Sequence, residues 1–142
     1  MAANLRERPD TPCAGQILIV EDEFLIAMEL ASTLRKAGFQ VIGPAASVAE
    51  AMHLIEHQRP DAAVLNVNLG GERVTPVAKL LRARSIPFVL ASAYDEATLS
   101  RDSALIGAIN VGRPTKPDDL RDALLNLIAG RRDRRGGTLA GV

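Results

Sequence analysis

Residues 62–67 read AAVLNV, an apolar run with no polar residue before Asn66. A strand wetted on one face alternates polar and apolar side chains, so this run belongs to a strand covered on both faces, as in a parallel sheet between layers of helix. ILIVE at 17–21, FQVIG at 39–43, IPFVLA at 86–91 and AINV at 108–111 read as four more strands. Helix-period segments separate them. Between Glu23 and Ala37, Ala27, Leu30, Ala31 and Leu34 form one buried stripe, and Gly38 closes the helix. Ser47 and Glu50 form a capping box for a second helix that turns Val48, Ala51, Met52 and Ile55 inward. A third helix is expected over 73–83, and a weaker helical segment follows Asp95. Pro117 opens the last helix, with Asp118 and Asp119 at its positive end, Leu120, Leu124, Leu127 and Ile128 inward, and Gly130 as its stop. Five strand–helix alternations without an internal repeat predict an α/β fold: a five-stranded parallel sheet with helices on both faces and right-handed crossovers.

Length and charge narrow the function classes. At 142 residues the chain is expected to form one domain over 16–130, with a flexible leader at 1–15 and a flexible basic tail at 131–142. Seventeen Lys plus Arg balance 17 Asp plus Glu, which removes the electrostatic reason to propose a nucleic-acid or membrane-surface binder. Arg131, Arg132, Arg134 and Arg135 in the tail read as a solvated run. A single cysteine, Cys13, allows no intramolecular disulfide and no cysteine metal cluster. No apolar stretch reaches the ~18 residues of a membrane span, so a cytoplasmic location is expected.

In open parallel sheets the site lies beyond the carboxyl ends of the strands. Those ends carry Glu21 and Asp22, Asn66, Ser92 and Arg113. Carboxylate and carbonyl oxygens suit a hard cation such as Mg²⁺, and a hydroxyl beside a fixed positive charge suits a phosphoryl-like group. His53 and His57 lie four apart on the second helix, a spacing that can bind Zn²⁺, but they face away from its buried stripe and read as solvated. Gly70-Gly71 follows a strand without the spacing of a phosphate-binding loop.

ILIVEDE, PDAAVLNVNLGGE, PFVLASAYD and GRPTKPDDL occur in this order over about residues 16–130, and together they resemble the receiver domain of two-component response regulators. PFVLASAYD further resembles stand-alone alphaproteobacterial receivers with a Pro-Phe-x-Phe-Ala-Thr-Gly-Tyr strand. The resemblance implies a flavodoxin-like strand order 2-1-3-4-5. It implies that Glu21, Asp22 and the backbone carbonyl of Asn68 hold Mg²⁺, that Ser92 is the switch hydroxyl, and that Arg113, preferred over Lys116, stands for the family's lysine before proline. Asn66 falls at the phosphoacceptor position. The implied partner is a histidine kinase or phosphotransfer protein, docked on the first helix near Leu25 and Met28, with a second copy of the chain as a candidate.

Two residues depart from the family pattern. An amide nitrogen is not a nucleophile, so Asn66 is expected to be inert toward acyl-phosphate formation. It also removes one negative charge, so weak Mg²⁺ binding is expected. Arg113 is a planar fork able to engage Asp22 or Glu21 bidentately and hold the pocket in one state. The reading is therefore a non-enzymatic phosphorelay receiver acting by protein contacts, a pseudo-receiver, with no output domain expected after residue 130. Two alternatives stand beside it: a phosphorylatable switch whose aspartate is replaced by asparagine in this sequence, and a small α/β enzyme using the same pocket. The latter lacks a nucleophile or base at the strand ends.

Overall fold

The computed structural model describes residues 14–94, 96–99 and 101–140, with no side chains described at 96, 97 and 132–140. Cys13, the rest of the leader before it and Asp95 lie outside the described residues, as do the side chains of Arg132, Arg134 and Arg135. The main strands are β1 (Gln16–Val20), β2 (Gln40–Ala45), β3 (Ala62–Leu65), β6 (Phe88–Leu90) and β7 (Ile109–Asn110). They form one sheet in the order β2-β1-β3-β6-β7, every pair parallel. This is the 2-1-3-4-5 order that the family resemblance implies. A two-stranded hairpin, β4 (Asn68–Leu69) and β5 (Glu72–Arg73), is inserted after β3.

Successive side chains along a strand point to opposite faces, and here both faces are apolar. Leu18, Val20, Ala63, Leu65, Phe88 and Leu90 pack against Ala51 and Ile55 of α2 (Val48–Gln58) and Val77, Ala78 and Leu81 of α3 (Thr75–Ala83). Ile17, Ile19, Ala62, Val64 and Val89 pack instead against Leu30, Ala31 and Leu34 of α1 (Phe24–Lys36) and Leu120, Leu124 and Ile128 of α5 (Pro117–Ala140). The unbroken apolar run in β3 is thus explained by two helical layers.

The caps follow the sequence. Ser47 Oγ accepts from the Glu50 N–H at 3.1 Å, opening α2. Gly38, at φ +94°, ends α1: its N–H donates to the Arg35 carbonyl and that of Phe39 to the Leu34 carbonyl, the paired bonds of a Schellman motif.

Some boundaries differ from the sequence reading, whereas the weaker helical segment expected after Asp95 is found. Ala14 and Gly15 belong to the domain, since the Ala14 N–H donates to Gly38 O and Gly15 O accepts from Gln40 N. The third helix begins at Thr75, because Glu72 and Arg73 form the returning arm of the hairpin, turned by Gly70 and Gly71 at positive φ. After α4 (Glu96–Leu99) the chain makes turns over 101–107. Arg82 holds them there, donating to the carbonyls of Ala104 at 2.7 Å and Ile106 at 2.8 Å, while Thr75 Oγ1 donates to Asp102. The last helix does not stop at Gly130 but runs to Ala140. A glycine ends a helix by turning left-handed, and Gly130 does not. The next residue, Arg131, donates from Nη1 to the Asp61 carbonyl at 3.1 Å, tying the start of the expected tail to the lead-in of β3.

Candidate functional site

At the carboxyl end of the sheet lies a cleft of 630 Å³ lined by Asp22, Asn66, Asn68, Ser92, Tyr94 and Arg113, among others. The strands deliver these groups in register. β1 and β3 pair Val20 with Leu65, so the acidic pair and Asn66 leave the sheet side by side. β6 and β7 pair Leu90 with Asn110, which brings the loops carrying Ser92 and Arg113 together. All of the side chains proposed from sequence meet at this end of the sheet. Lys116 does not line the cleft.

Asn66, 9% exposed, sits at the centre. Its Nδ2 donates to Glu21 Oε2 at 3.1 Å and to Asp22 Oδ1 at 3.3 Å. Glu21 is only 2% exposed and lies beneath the cleft floor rather than lining it. Its Oε2 also accepts from the Glu23 N–H at 3.0 Å, whereas its Oε1 is buried without a hydrogen-bond partner. Burial pushes the Glu21 carboxyl above its ordinary value, against the opposing pull of the Glu23 N–H, the Arg113 charge and the Asn66 amide. Asp22 is exposed and behaves oppositely. What burial it has acts to raise its pKa, but the Gly70 N–H at 2.9 Å, its own N–H and its two side-chain neighbours outweigh that and hold the carboxyl low.

Arg113, a fork able to engage Asp22 or Glu21 bidentately, divides itself between Glu21 and Glu23. Nη1 is 3.8 Å from Glu21 Oε1, while Nη2 makes a 2.9 Å pair with Glu23 Oε1. Asp22 is left to Gly70 and Asn66. Glu21 thus meets Asn66 at Oε2 and has the guanidinium nearest Oε1.

Ser92, 3% exposed, accepts at Oγ from the Tyr94 N–H at 3.0 Å, leaving its hydroxyl proton available for an oxygen in the cleft. Asn68 Nδ2 donates to the Tyr94 hydroxyl at 2.6 Å across the mouth. Glu23, Tyr94 and Asn110 are the participants that sequence reasoning missed. Glu23 was read only as the start of α1. Asn110 had one available signal, a polar side chain at a strand's carboxyl end, whereas Tyr94 stands four residues past the end of β6.

The donors suit a hard divalent cation: the Asp22 carboxylate and Asn68 line the cleft, and Glu21 Oε1, which accepts no hydrogen bond, lies just beneath. Among the described residues no group of three or more His, Cys, Asp or Glu could hold a metal ion, in the cleft or elsewhere. His53 and His57 stack on the exposed face of α2 with ring centroids 4.0 Å apart, His57 Nδ1 being bonded to the His53 carbonyl.

The sequence model of the response regulator receiver domain matches residues 17–125. The transcriptional regulatory protein PdtaR of Mycobacterium tuberculosis is 30% identical over 101 residues, which is 70% of this chain and 49% of that protein. The chain therefore spans about half the length of that relative. A response regulator from Chloroflexus aurantiacus superposes with a TM-score of 0.72 at 28% identity, covering 81% of this chain and 98% of that one. The receiver domain of a sensor histidine kinase from Pseudomonas aeruginosa, with a magnesium ion coordinated in its active-site cleft, shares the fold with a TM-score of 0.72 at 23% identity, covering 81% and 98%.

Proposed function

The chain belongs to the response regulator receiver domain family, and from that premise we propose that it is a two-component signalling receiver that acts through protein contacts and carries no acyl phosphate. One observation carries this reading. At the acceptor position Asn66 presents an amide nitrogen whose protons are committed to Glu21 and Asp22, where an in-line attack on a phosphoryl group needs an ionised oxygen. No acidic proton is lost and no nucleophilic lone pair is free.

The remaining parts of the cleft keep receiver chemistry. Asp22, the Asn68 carbonyl and, beneath the floor, Glu21 would hold Mg²⁺, which when bound supplies charge neutralisation for an incoming oxyanion. Binding is weak because Asn66 contributes no charge. Ser92 offers a hydroxyl donor and Arg113 a fixed cation. The Arg113 contacts to Glu21 and Glu23 support a pocket held in one state without phosphate.

The partner surface is the start of α1. Phe24 is 71% exposed, Leu25 75% and Met28 44%, an apolar edge that suits a helical partner such as the dimerisation helices of a histidine kinase or a phosphotransfer protein. No helix among the described residues is long and apolar enough to cross a membrane, and a cytoplasmic site of action fits such a partner.

The test is acetyl phosphate with Mg²⁺, followed by mass and amide shifts, on this chain and on Asn66→Asp. Uptake by the Asp form alone supports a receiver silenced at one atom. Uptake by the parent chain overturns the reading. For the docking surface, Leu25→Arg should abolish capture by the cognate kinase; undiminished capture removes α1 from the interface.

A further inference from the structure

β7 ends at Asn110, and the side chain of this residue uses its entire hydrogen-bonding capacity. Oδ1 accepts from the N–H groups of Ser92 and Gly112, each at 3.0 Å. Nδ2 donates to the carbonyls of Ser92 and Tyr94, each at 3.1 Å. An asparagine amide offers two acceptor and two donor positions, so all four are filled. The partners also fix the orientation of the amide, because a flip would set donors against N–H groups and the oxygen against carbonyls.

These bonds begin where the backbone ladder stops. The last rung between β6 and β7 pairs Leu90 with Asn110, and the Val111 N–H closes it by donating to the Leu90 carbonyl at 2.8 Å. Beyond that point the chain after β6 turns toward Ser92 and the chain after β7 toward Arg113, with no further strand pairing. The Asn110 side chain takes over the role of the rung. From it the bonds continue outward: Tyr94, held at its carbonyl by Asn110 and at its N–H by Ser92 Oγ, meets Asn68 at the cleft mouth.

We propose that Asn110 is the positioning residue of the cleft, joining the Ser92–Tyr94 loop to the Gly112–Arg113 turn so that the Ser92 hydroxyl and the Arg113 guanidinium are set before an oxyanion arrives. The proposal rests on the receiver reading for its ligand, but not for its geometry. A shift of the Ser92–Tyr94 loop alone breaks three of the four bonds, and a shift of the Gly112–Arg113 turn alone breaks the fourth. The arrangement is therefore preset, and ligand entry does not have to assemble it.

The test uses Asn110→Ala and Asn110→Asp, each in this chain and in Asn66→Asp, with amide hydrogen exchange, unfolding stability and beryllofluoride affinity in Mg²⁺ as readouts. Asn110→Ala should speed exchange of the Ser92 and Gly112 amides about tenfold, the size expected for one lost hydrogen bond, while β1 and β3 amides keep their protection. In the Asn66→Asp background it should weaken beryllofluoride binding by a similar factor. Asn110→Asp keeps both acceptor bonds and loses both donors, so it should protect Ser92 and Gly112 yet still weaken binding. Should Asn110→Ala fail to fold, Asn110→Asp alone decides through that combination. Unchanged exchange at both amides, or exchange that rises equally in β1, overturns the proposal. So does equal affinity of Asn66→Asp with and without the Asn110 substitution. If Asn66→Asp itself binds no beryllofluoride, the receiver reading fails, and the exchange pattern still decides whether Asn110 clamps the loops.

Discussion

Asn66 Nδ2 donates to Glu21 Oε2 at 3.1 Å, so the amide at the centre of the cleft is bonded to a buried acid that an aspartate there would repel. The same nitrogen reaches Asp22 at 3.3 Å. An amide is thus a neutral bridge between two carboxylates, and its substitution changes stability and chemistry together.

Asn66→Asp should destabilise the metal-free protein at neutral pH. Two hydrogen bonds are lost and a third carboxylate joins the pair, so a loss of about 1–3 kcal/mol is expected. Mg²⁺ should restore much of it by neutralising the cluster, and should do less for the parent. Urea unfolding of both proteins in EDTA and in millimolar Mg²⁺ checks this; equal midpoints in EDTA count against the bridge.

Glu21 gives the pocket a pH dependence of definite sign. Its carboxyl titrates above the ordinary 4.5, so between the two values the folded protein holds a proton that the unfolded chain has released. Stability from this residue therefore falls as pH rises from 4.5 through the folded pKa, and the cost persists above it. Asp22 acts oppositely, contributing stability above 3.8 that is lost as pH falls through its lowered value. Glu21→Gln should flatten the first limb, raise stability at neutral pH and leave the acid limb below 3.8 in place. A neutral-pH stability below the parent's contradicts the burial argument.

Arg113 and Glu23 should not be equivalent in cost, although they form the shorter pair. Glu23 has a side chain 62% exposed, so Glu23→Ala removes a solvent-screened contact worth roughly 0–1 kcal/mol. Arg113→Ala strips the nearby cation from buried Glu21 Oε1 and should cost more, about 1–3 kcal/mol, with the difference shrinking at low pH as Glu21 protonates. Thermal unfolding of both variants at neutral and acidic pH measures it, and equal losses at neutral pH rule the asymmetry out.

Tyr94 is the chain's one tyrosine, there is no tryptophan, and its hydroxyl is bonded to Asn68 at the cleft mouth. Intrinsic emission therefore reports on this one contact. Asn68→Ala should change the tyrosine emission while altering stability by less than about 1 kcal/mol, since the pair is exposed. Emission identical to the parent's places the Tyr94 ring away from Asn68 in solution.

The parallel sheet was legible because it depends on patterns that solvent enforces locally, and its strand order because the motifs resemble the receiver family. AAVLNV had to lie between two helical layers, Gly38 had to end its helix, and the strand-end rule was enough to gather Asp22, Asn66, Ser92 and Arg113. Gly130 misled because a glycine stops a helix only when it turns left-handed, and contact between Arg131 and Asp61, distant in sequence, is invisible in a local window. The third helix was read two residues early because a Gly-Gly hairpin competes with a helix start.

What sequence alone determined was the set of groups and their chemistry: an amide, a hydroxyl, a guanidinium and two carboxylates at one end of a parallel sheet. Their partners were decided only by tertiary structure. Arg113 divides between Glu21 and Glu23 rather than gripping Asp22, and Asn110 spans two loops that the sequence places 18 residues apart. Hydrogen bonds depend on sub-ångström distance and direction, which the crossovers and sheet register fix, whereas burial patterns survive in the order of residues.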